Sequence, residues 1–160
     1  MLGLFKQGDN HHMRILFDSK QEAFKTPFGC LTPGQTCTLH IHIPVAVNTR
    51  AVEIALCAQD GNQIASFPMA YEQTVGPYEY WVGSFTLSDR GLYFCFFRIT
   101  DPHGTFRLLK EGDDTNMEAG DLWQVSVIPE DFYTPQWARG AVIYQVFPDR
   151  FRKSGEVDLW

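Results

Sequence analysis

Two histidines occur at a spacing that would allow them to bind one metal ion. His40 and His42 are two residues apart in a segment of alternating character, so both imidazoles lie on the same side of a predicted strand. A zinc site needs three or four ligands, and the sequence offers no third ligand close to this pair. A polar strand surface is therefore the favoured interpretation, and we predict neither a metal nor a cofactor.

A second group of residues carries oxygen ligands of the kind that calcium prefers. It consists of Asp113, Asp114, Asn116, Glu118 and Asp121. Their spacing does not match a known calcium loop, so a solvated turn is favoured. The sequence also lacks a Ser/His/Asp or Cys/His arrangement for nucleophilic catalysis and a glycine-rich loop for phosphate.

Aromatic residues make up 14% of the chain and are the remaining candidates for ligand binding. Proteins bind sugars with exposed rings that lie against pyranose faces, supported by polar groups. In Tyr78–Leu87 the alternation places Trp81 in the core and Tyr78 and Tyr80 on the other face. Tyr78 and Tyr80 are therefore the first candidates for substrate binding, followed by Tyr71. Cross-strand packing or contact with another protein surface is an equal alternative for these rings.

The elements that would position these residues are β-strands, since no segment has a helical period. The predicted strands are Met13–Phe17, Gln35–Ile43, 52–56, Gln63–Met69, Tyr78–Leu87, Leu92–Thr100, Thr105–Lys110 and Leu122–Ile128. An Asp-Gly turn at 59–62 predicts a hairpin, and Pro68 predicts an edge. Turns at 88–91 and 101–104 predict an antiparallel meander whose middle strand, apolar on both faces, is central. We predict an all-β fold, an immunoglobulin-like antiparallel β-sandwich.

Charge and hydropathy exclude several kinds of partner. The chain has 13 basic and 19 acidic residues and a net charge of -6, with the basic residues scattered, so nucleic acid is not expected. No apolar stretch approaches the ~18 residues of a membrane span, and Met1–Asn10 lacks the basic start and apolar stretch of a signal peptide. We therefore expect a cytoplasmic protein with no membrane contact.

The cysteines agree with a reducing compartment. They are Cys30, Cys37, Cys57 and Cys95. None forms a Cys-x-x-Cys pair and three fall in predicted strands, so free, buried thiols are the expected state.

The run from Thr134 to Phe151 resembles a known family. It reads Thr-Pro-Gln-Trp-Ala-Arg-Gly-Ala-Val-Ile-Tyr-Gln-Val-Phe-Pro-Asp-Arg-Phe. This is similar to the linker and first barrel strand of the catalytic domain in glycoside hydrolase family 13, the α-amylase family, particularly its neopullulanase, cyclomaltodextrinase and amylopullulanase-like members of the clostridial cytoplasmic type. The matching residues are Tyr144, Gln145, Phe147, Pro148, Asp149, Arg150 and Phe151. Phe24–Gly29 and Gly120–Val127 resemble the amino-terminal sandwich of the same proteins, often classed with carbohydrate-binding module family 34.

This resemblance implies the domain organisation. Residues 141–147 are apolar on both alternating faces except at Gln145, as in a parallel strand covered on both sides. A complete (β/α)8 barrel takes ~250 residues, so we expect the chain to end just inside the barrel. The predicted domains are a sandwich at 1–131, a linker at 132–140 and the truncated start of the catalytic barrel at 141–160.

The resemblance also implies a hydrolase as the parent protein. It would act on α-glucans such as starch, maltodextrins and pullulan, with retention of configuration, through two carboxyl groups ~5–5.5 Å apart. In the family these acids follow later barrel strands, so no catalytic residue is assigned here and the 160 residues alone are expected to be inactive. Asp149 beside Arg150 is interpreted as a structural ion pair. The sequence at 152–156, Arg-Lys-Ser-Gly-Glu, departs from the Asn/Asp-rich calcium loop of many relatives.

Two roles for the sandwich remain open. In the first, it is a non-catalytic scaffold and subunit interface with weak glucan binding as an accessory property. In the second, it is a dedicated module for binding starch or maltooligosaccharides. The expected partners are an α-glucan oligosaccharide or polysaccharide and the catalytic barrel of the same protein, and a homodimer is allowed. Exposed coplanar rings with polar neighbours would indicate sugar binding, and a flat apolar patch would indicate protein contact.

Overall fold

The computed structural model describes residues 14–142, which form nine β-strands and two short 3₁₀ helices. The strands are β1 (Lys25–Thr26), β2 (Thr36–Pro44), β3 (Ala51–Cys57), β4 (Gln63–Val75), β5 (Tyr78–Thr86), β6 (Gly91–Thr100), β7 (Thr105–Glu111), β8 (Asp114–Asn116) and β9 (Trp123–Val127). The 3₁₀ helices are Val45–Val47 and Gln136–Ala138. The predicted all-β class is confirmed, and among residues 14–142 no helix has the length and hydropathy to cross a bilayer.

The strands form a curled antiparallel sheet in which β4 has two sets of partners. The order of paired strands is β1-β2-β5-β4-β3-β6-β7-β8, and β9 pairs with β6. β4 pairs with β3 as far as Met69 and with β5 from Ala70 onward. Because β4 changes partner in this way, the sheet folds over into two facing halves. We call β1, β2, β5 and residues 70–75 the front half, and β3, β6, β7, β9 and residues 63–69 the back half.

The core lies between the two halves and follows the predicted alternation. The inward residues of β2 are Cys37, Leu39, Ile41 and Ile43, all buried. At the centre, the ring of Phe97 packs edge-on against Phe17 and Trp123 at centroid distances of 4.7 and 5.4 Å. Complete burial of a large apolar side chain contributes ~1.5–3 kcal/mol, so this continuous cluster is the main source of stability.

The turns explain where the strands end. Between β3 and β4, the Asp60 carboxylate accepts a hydrogen bond from the Asn62 backbone N–H at 3.0 Å, and Gly61 has φ +83°. The predicted Asp-Gly hairpin is therefore confirmed. Pro68 lies opposite Glu53, just before β4 leaves β3, where the described pairings place no strand on its other side. That position suits a residue without an N–H.

One prediction about strand pairing and one about the extent of a strand are wrong. The turn at 88–91 does not make a hairpin, because β5 pairs with β2 and β4 in the front half while β6 pairs with β3, β7 and β9 in the back half. The predicted strand Met13–Phe17 is reduced, within the described residues, to one bridge between Leu16 and His42. Met13 itself lies outside the described residues.

The outer surface of the back half carries a second apolar cluster. Ala55, Cys57 and Phe96 are buried there on the side away from the main core. The guanidinium groups of Arg98 and Arg107 lie 5.9 and 5.1 Å from the Phe96 ring centroid and cover it. This arrangement confirms that β6 is a central strand that is covered on both faces.

Residues 131–142 belong to a second compact unit. Within it, Arg139 Nε donates a hydrogen bond to the Thr134 carbonyl oxygen at 2.9 Å. Of the predicted barrel strand at 141–147, only residues 141 and 142 are described, and neither is in a strand. Residues 143–160, with most of the barrel motif, lie outside the described residues. The predicted domain boundaries therefore stay predictions.

Candidate functional site

Tyr78 and Tyr80 lie on the outer face of the front half, as the alternation predicts. Tyr80 is directly opposite His42 in the β2/β5 ladder, and the two rings stack with centroids 3.6 Å apart and planes 14° from parallel. The centroid of the Phe24 ring lies 4.8 Å from that of the His42 ring. These three rings form a row across the sheet, which we call the outer ring row (Phe24, His42 and Tyr80). The His42 ring therefore already covers one face of the Tyr80 ring.

The two histidines share this surface, as predicted. His40 Nδ1 lies 3.9 Å from a carboxylate oxygen of Glu72. Burial lowers the pKa of His42, and the neighbouring His40 lowers it further, whereas Glu72 acts in the opposite direction. Among residues 14–142 no group of three His, Cys, Asp or Glu side chains is arranged to hold a metal ion. The surface is therefore a packed polar face with a neutral His42 at neutral pH.

Tyr71 lies on the opposite side of the same half-sheet. It is directly opposite the buried Trp81 in the β4/β5 ladder, and the two rings meet edge-to-face at 5.9 Å. Its hydroxyl is 2.8 Å from that of Thr74, and the side chain is 52% exposed. The β4/β5 ladder is irregular at Glu72, between Tyr71 and Gln73, and Gln73 is the residue opposite Tyr80. The three predicted tyrosines therefore do not form one binding platform.

Two residues of the acidic group at 113–121 form ion pairs with basic residues. Asp114 forms an ion pair with Arg14 at 2.6 Å, and Asp113 forms one with Lys20. The Asn116 side-chain oxygen accepts a hydrogen bond from the Glu118 backbone N–H at 2.8 Å. These carboxylates connect the β7/β8 hairpin to the chain segment before β1, a long-range contact that the local sequence does not indicate.

All four cysteines are free, and three are buried. The exception is Cys30, which is exposed. Burial raises the pKa of Cys95 to about 12 and also raises the pKa of Cys37 and of Cys57. Buried thiols with a raised pKa stay protonated and unreactive at neutral pH, so their role is packing.

A groove that no sequence pattern predicts lies on the outer surface of the back half. β6 changes its partner between Phe97, which lies opposite β7, and Cys95, which lies opposite β9. A groove of about 510 Å³ is present at this junction. Its lining includes Ser19, Gln59, Phe94, Lys110, Asp121 and Gln124. No local pattern could have revealed it, because its walls come from five separate parts of the chain.

Known proteins resemble this chain in sequence. No family model matches it. An amylopullulanase from Thermoanaerobacterium saccharolyticum is 28% identical over 144 residues, which is 84% of this chain and 11% of that protein. An amylopullulanase from Thermoanaerobacterium thermosulfurigenes is 30% identical over 147 residues, covering 84% of this chain and 8% of that protein. The chain thus spans about a tenth of the length of the curated relatives that it matches.

A solved structure resembles the chain in fold. A cyclomaltodextrinase matches with a TM-score of 0.52 and 20% sequence identity, covering 84% of this chain and 23% of that chain. The fold and the comparisons define the class as a β-sandwich domain that corresponds to a small part of larger proteins. More particularly, the amylopullulanase relatives, the cyclomaltodextrinase fold and the motifs of the sequence support an amino-terminal domain of the α-amylase family, glycoside hydrolase family 13.

Proposed function

We propose that this chain is a non-catalytic domain of an α-glucan hydrolase. It serves as a scaffold and subunit interface, with weak glucan binding as an accessory property. The names of the relatives, amylopullulanase and cyclomaltodextrinase, support hydrolysis of α-glucans by the parent protein. The retaining mechanism and the catalytic carboxylates belong to the barrel in this proposal.

The arrangement of the aromatic rings is the observation that carries the scaffold role. A sugar-binding surface needs ring faces that are open together on one side. Here Tyr80 stacks on His42, and Tyr71 lies on the other side of the half-sheet against Trp81. These contacts are typical of strands that pack their own cross-strand pairs.

A cytoplasmic location belongs to the same proposal. Three buried, unpaired thiols are usual in a reducing compartment, where disulfides are rare. The proposed protein partners are the catalytic barrel of the same protein and a second copy of the chain.

Two assays on the 160-residue chain test this proposal. Incubation with soluble starch, pullulan and maltoheptaose should release no reducing ends, and measurable hydrolysis would overturn the non-catalytic role. Light scattering across a concentration series should show a mass that rises toward that of a dimer. A constant monomer mass up to high concentration would overturn the role as a subunit interface.

The second candidate is a dedicated module for binding maltooligosaccharides. The exposure of Tyr71, which keeps its ring largely open to solvent, favours this alternative. Titration with maltoheptaose and β-cyclodextrin, followed by tryptophan fluorescence, tests it. A saturable change that disappears in Tyr71→Ala or Tyr80→Ala would support a module centred on the tyrosines, whereas an unchanged response in both variants would exclude these rings.

A further inference from the structure

The groove on the back half is built around one aromatic ring. Phe94 lies in β6, with Cys57 of β3 opposite it on one side and Gln124 of β9 opposite it on the other. Residues directly opposite in an antiparallel ladder share a face, so all three point to the outer surface. Phe94 packs against the second apolar cluster and remains partly exposed toward the groove. The floor of the groove is therefore an aromatic ring held by a rigid central strand.

The walls of the groove combine the apolar residues Leu122 and Trp123 with polar residues whose charges balance. Gln59 and Gln124 are exposed and contribute amide groups, and Ser19 contributes a hydroxyl. Lys110 and Asp121 add one positive and one negative charge, and their backbones are joined by hydrogen bonds of 2.9 and 2.8 Å. An anionic ligand would need an excess of positive charge, and an amphipathic helix would need an apolar floor along its length. A neutral ligand with many hydroxyl groups fits this combination.

The dimensions agree with a short oligosaccharide. Ligand pockets typically have volumes of ~300–1,000 Å³, and this groove has about 510 Å³. A pyranose ring presents an apolar face to an aromatic floor and hydroxyl groups to amide walls, which is the recognition chemistry that Phe94, Gln59 and Gln124 offer.

We propose that this groove binds a short stretch of α-glucan. The Phe94 ring supports one glucose unit, and the side chains of Gln59 and Gln124 exchange hydrogen bonds with its hydroxyl groups. The choice of α-glucan rests on the proposed function above, because the groove by itself indicates only a neutral polyhydroxylated ligand. The accessory binding is thereby assigned to the back half rather than to the predicted tyrosines of the front half.

An NMR titration of the isotope-labelled 160-residue chain with maltotriose and maltoheptaose tests this assignment. We expect saturable shifts of the backbone amides of Gly61, Phe94 and Gln124, all of which line the groove or its floor. Cellohexaose, a β-linked glucan, serves as the ligand control. Equal shifts with cellohexaose would overturn the assignment to α-glucans.

Matched variants test which side chains contribute to the affinity for the glucan. The double variant Gln59→Ala/Gln124→Ala changes two exposed side chains and should weaken binding about tenfold, as expected for the loss of two neutral hydrogen bonds. Phe94→Leu keeps apolar packing while removing the ring, and it should abolish saturable binding. Gln73→Ala makes the same chemical change at an exposed position of the front half and should leave binding unaltered.

The outcomes separate this proposal from the proposed function. Shifts confined to the surroundings of Tyr71, Tyr78 and Tyr80, with normal binding by the Gln59→Ala/Gln124→Ala variant, would overturn the groove and support the tyrosine module. The absence of shifts with every α-glucan would overturn glucan binding altogether. The scaffold role would then still depend on the hydrolysis and light-scattering assays.

Discussion

Replacing Gly83 with alanine should destabilise the sandwich where β4 passes from one half to the other. Gly83 lies in β5 and is buried on the core side. A Cβ at this position would lie 2.7 Å from Met69 Cγ and 3.0 Å from Ile54 Cδ1. Packed carbon atoms prefer ~3.5–4.0 Å, so a methyl group has at least ~0.5 Å too little room on both sides. Glycine is therefore needed here because the two halves approach closely.

The size of the effect follows from two opposing contributions. Overpacking a well-filled core costs ~1–3 kcal/mol. Replacing glycine by alanine in a strand stabilises the folded state by ~0.5–1 kcal/mol, because glycine loses more conformational entropy on folding. Steric strain is the larger contribution, so we expect a net loss of ~0.5–2 kcal/mol in the free energy of unfolding. For a domain of this size that corresponds to a melting temperature lower by ~2–8 °C.

Thermal denaturation followed by near-UV circular dichroism measures this effect. Ser84→Ala is the matched control, because Ser84 is the exposed neighbour and loses only a hydrogen bond of 2.9 Å to Thr38. Its cost should stay below ~1 kcal/mol. The Gly83→Ala/Met69→Ala double variant should lose less stability than the sum of the single variants, because the second change removes the obstructing Cγ. A melting temperature of Gly83→Ala equal to or above that of the parent would refute the steric argument.

Two further predictions concern titratable groups. The pKa of His42 is lowered in the folded state, so the unfolded state binds more protons just below the ordinary histidine value of 6.5. Stability should therefore fall as the pH is lowered through this window. Urea denaturation at pH 7.5, 6.5 and 5.5 should show a smaller decrease in the free energy of unfolding for His42→Phe than for the parent protein. Equal decreases in the two proteins would contradict the assignment to this residue. In the native protein at pH 8, 5,5′-dithiobis(2-nitrobenzoate) should react rapidly with Cys30 alone, and the three buried thiols should react only in denaturant. Four rapidly reacting thiols in the native protein would mean that the interior opens readily.

Sequence patterns predicted the faces of the strands well. The alternation in β2 identified its buried side, and the apolar run in β6 identified a strand covered on both faces. The Asp-Gly turn before Gln63 correctly joined β3 to β4. These features depend on local geometry, because side chains two residues apart must lie on the same face of a strand.

Strand partners were harder to predict, because they depend on contacts between distant segments. The turn after Thr86 has the composition of a hairpin, yet the chain crosses there from the front half to the back half. Likewise, the irregularity between Tyr71 and Gln73 places Gln73 on the opposite face of β4 from Tyr71, although the two are two residues apart, and no residue type in that segment predicts it. The groove at Phe94 depends on the exchange of β7 for β9 beside β6 and thus could not be predicted from any single segment.

Because β4 belongs to both halves of the sheet, it also determines how this domain can unfold. In a sandwich of two independent sheets, one sheet can slide over the other while every backbone ladder stays intact. Here the two halves share the continuous strand Gln63–Val75, so such sliding would first have to break the ladder on one side of Met69. The halves are therefore expected to lose their amide-exchange protection together, as one cooperative unit. A load applied across the domain would be carried by main-chain bonds of β4 as well as by the packing of side chains.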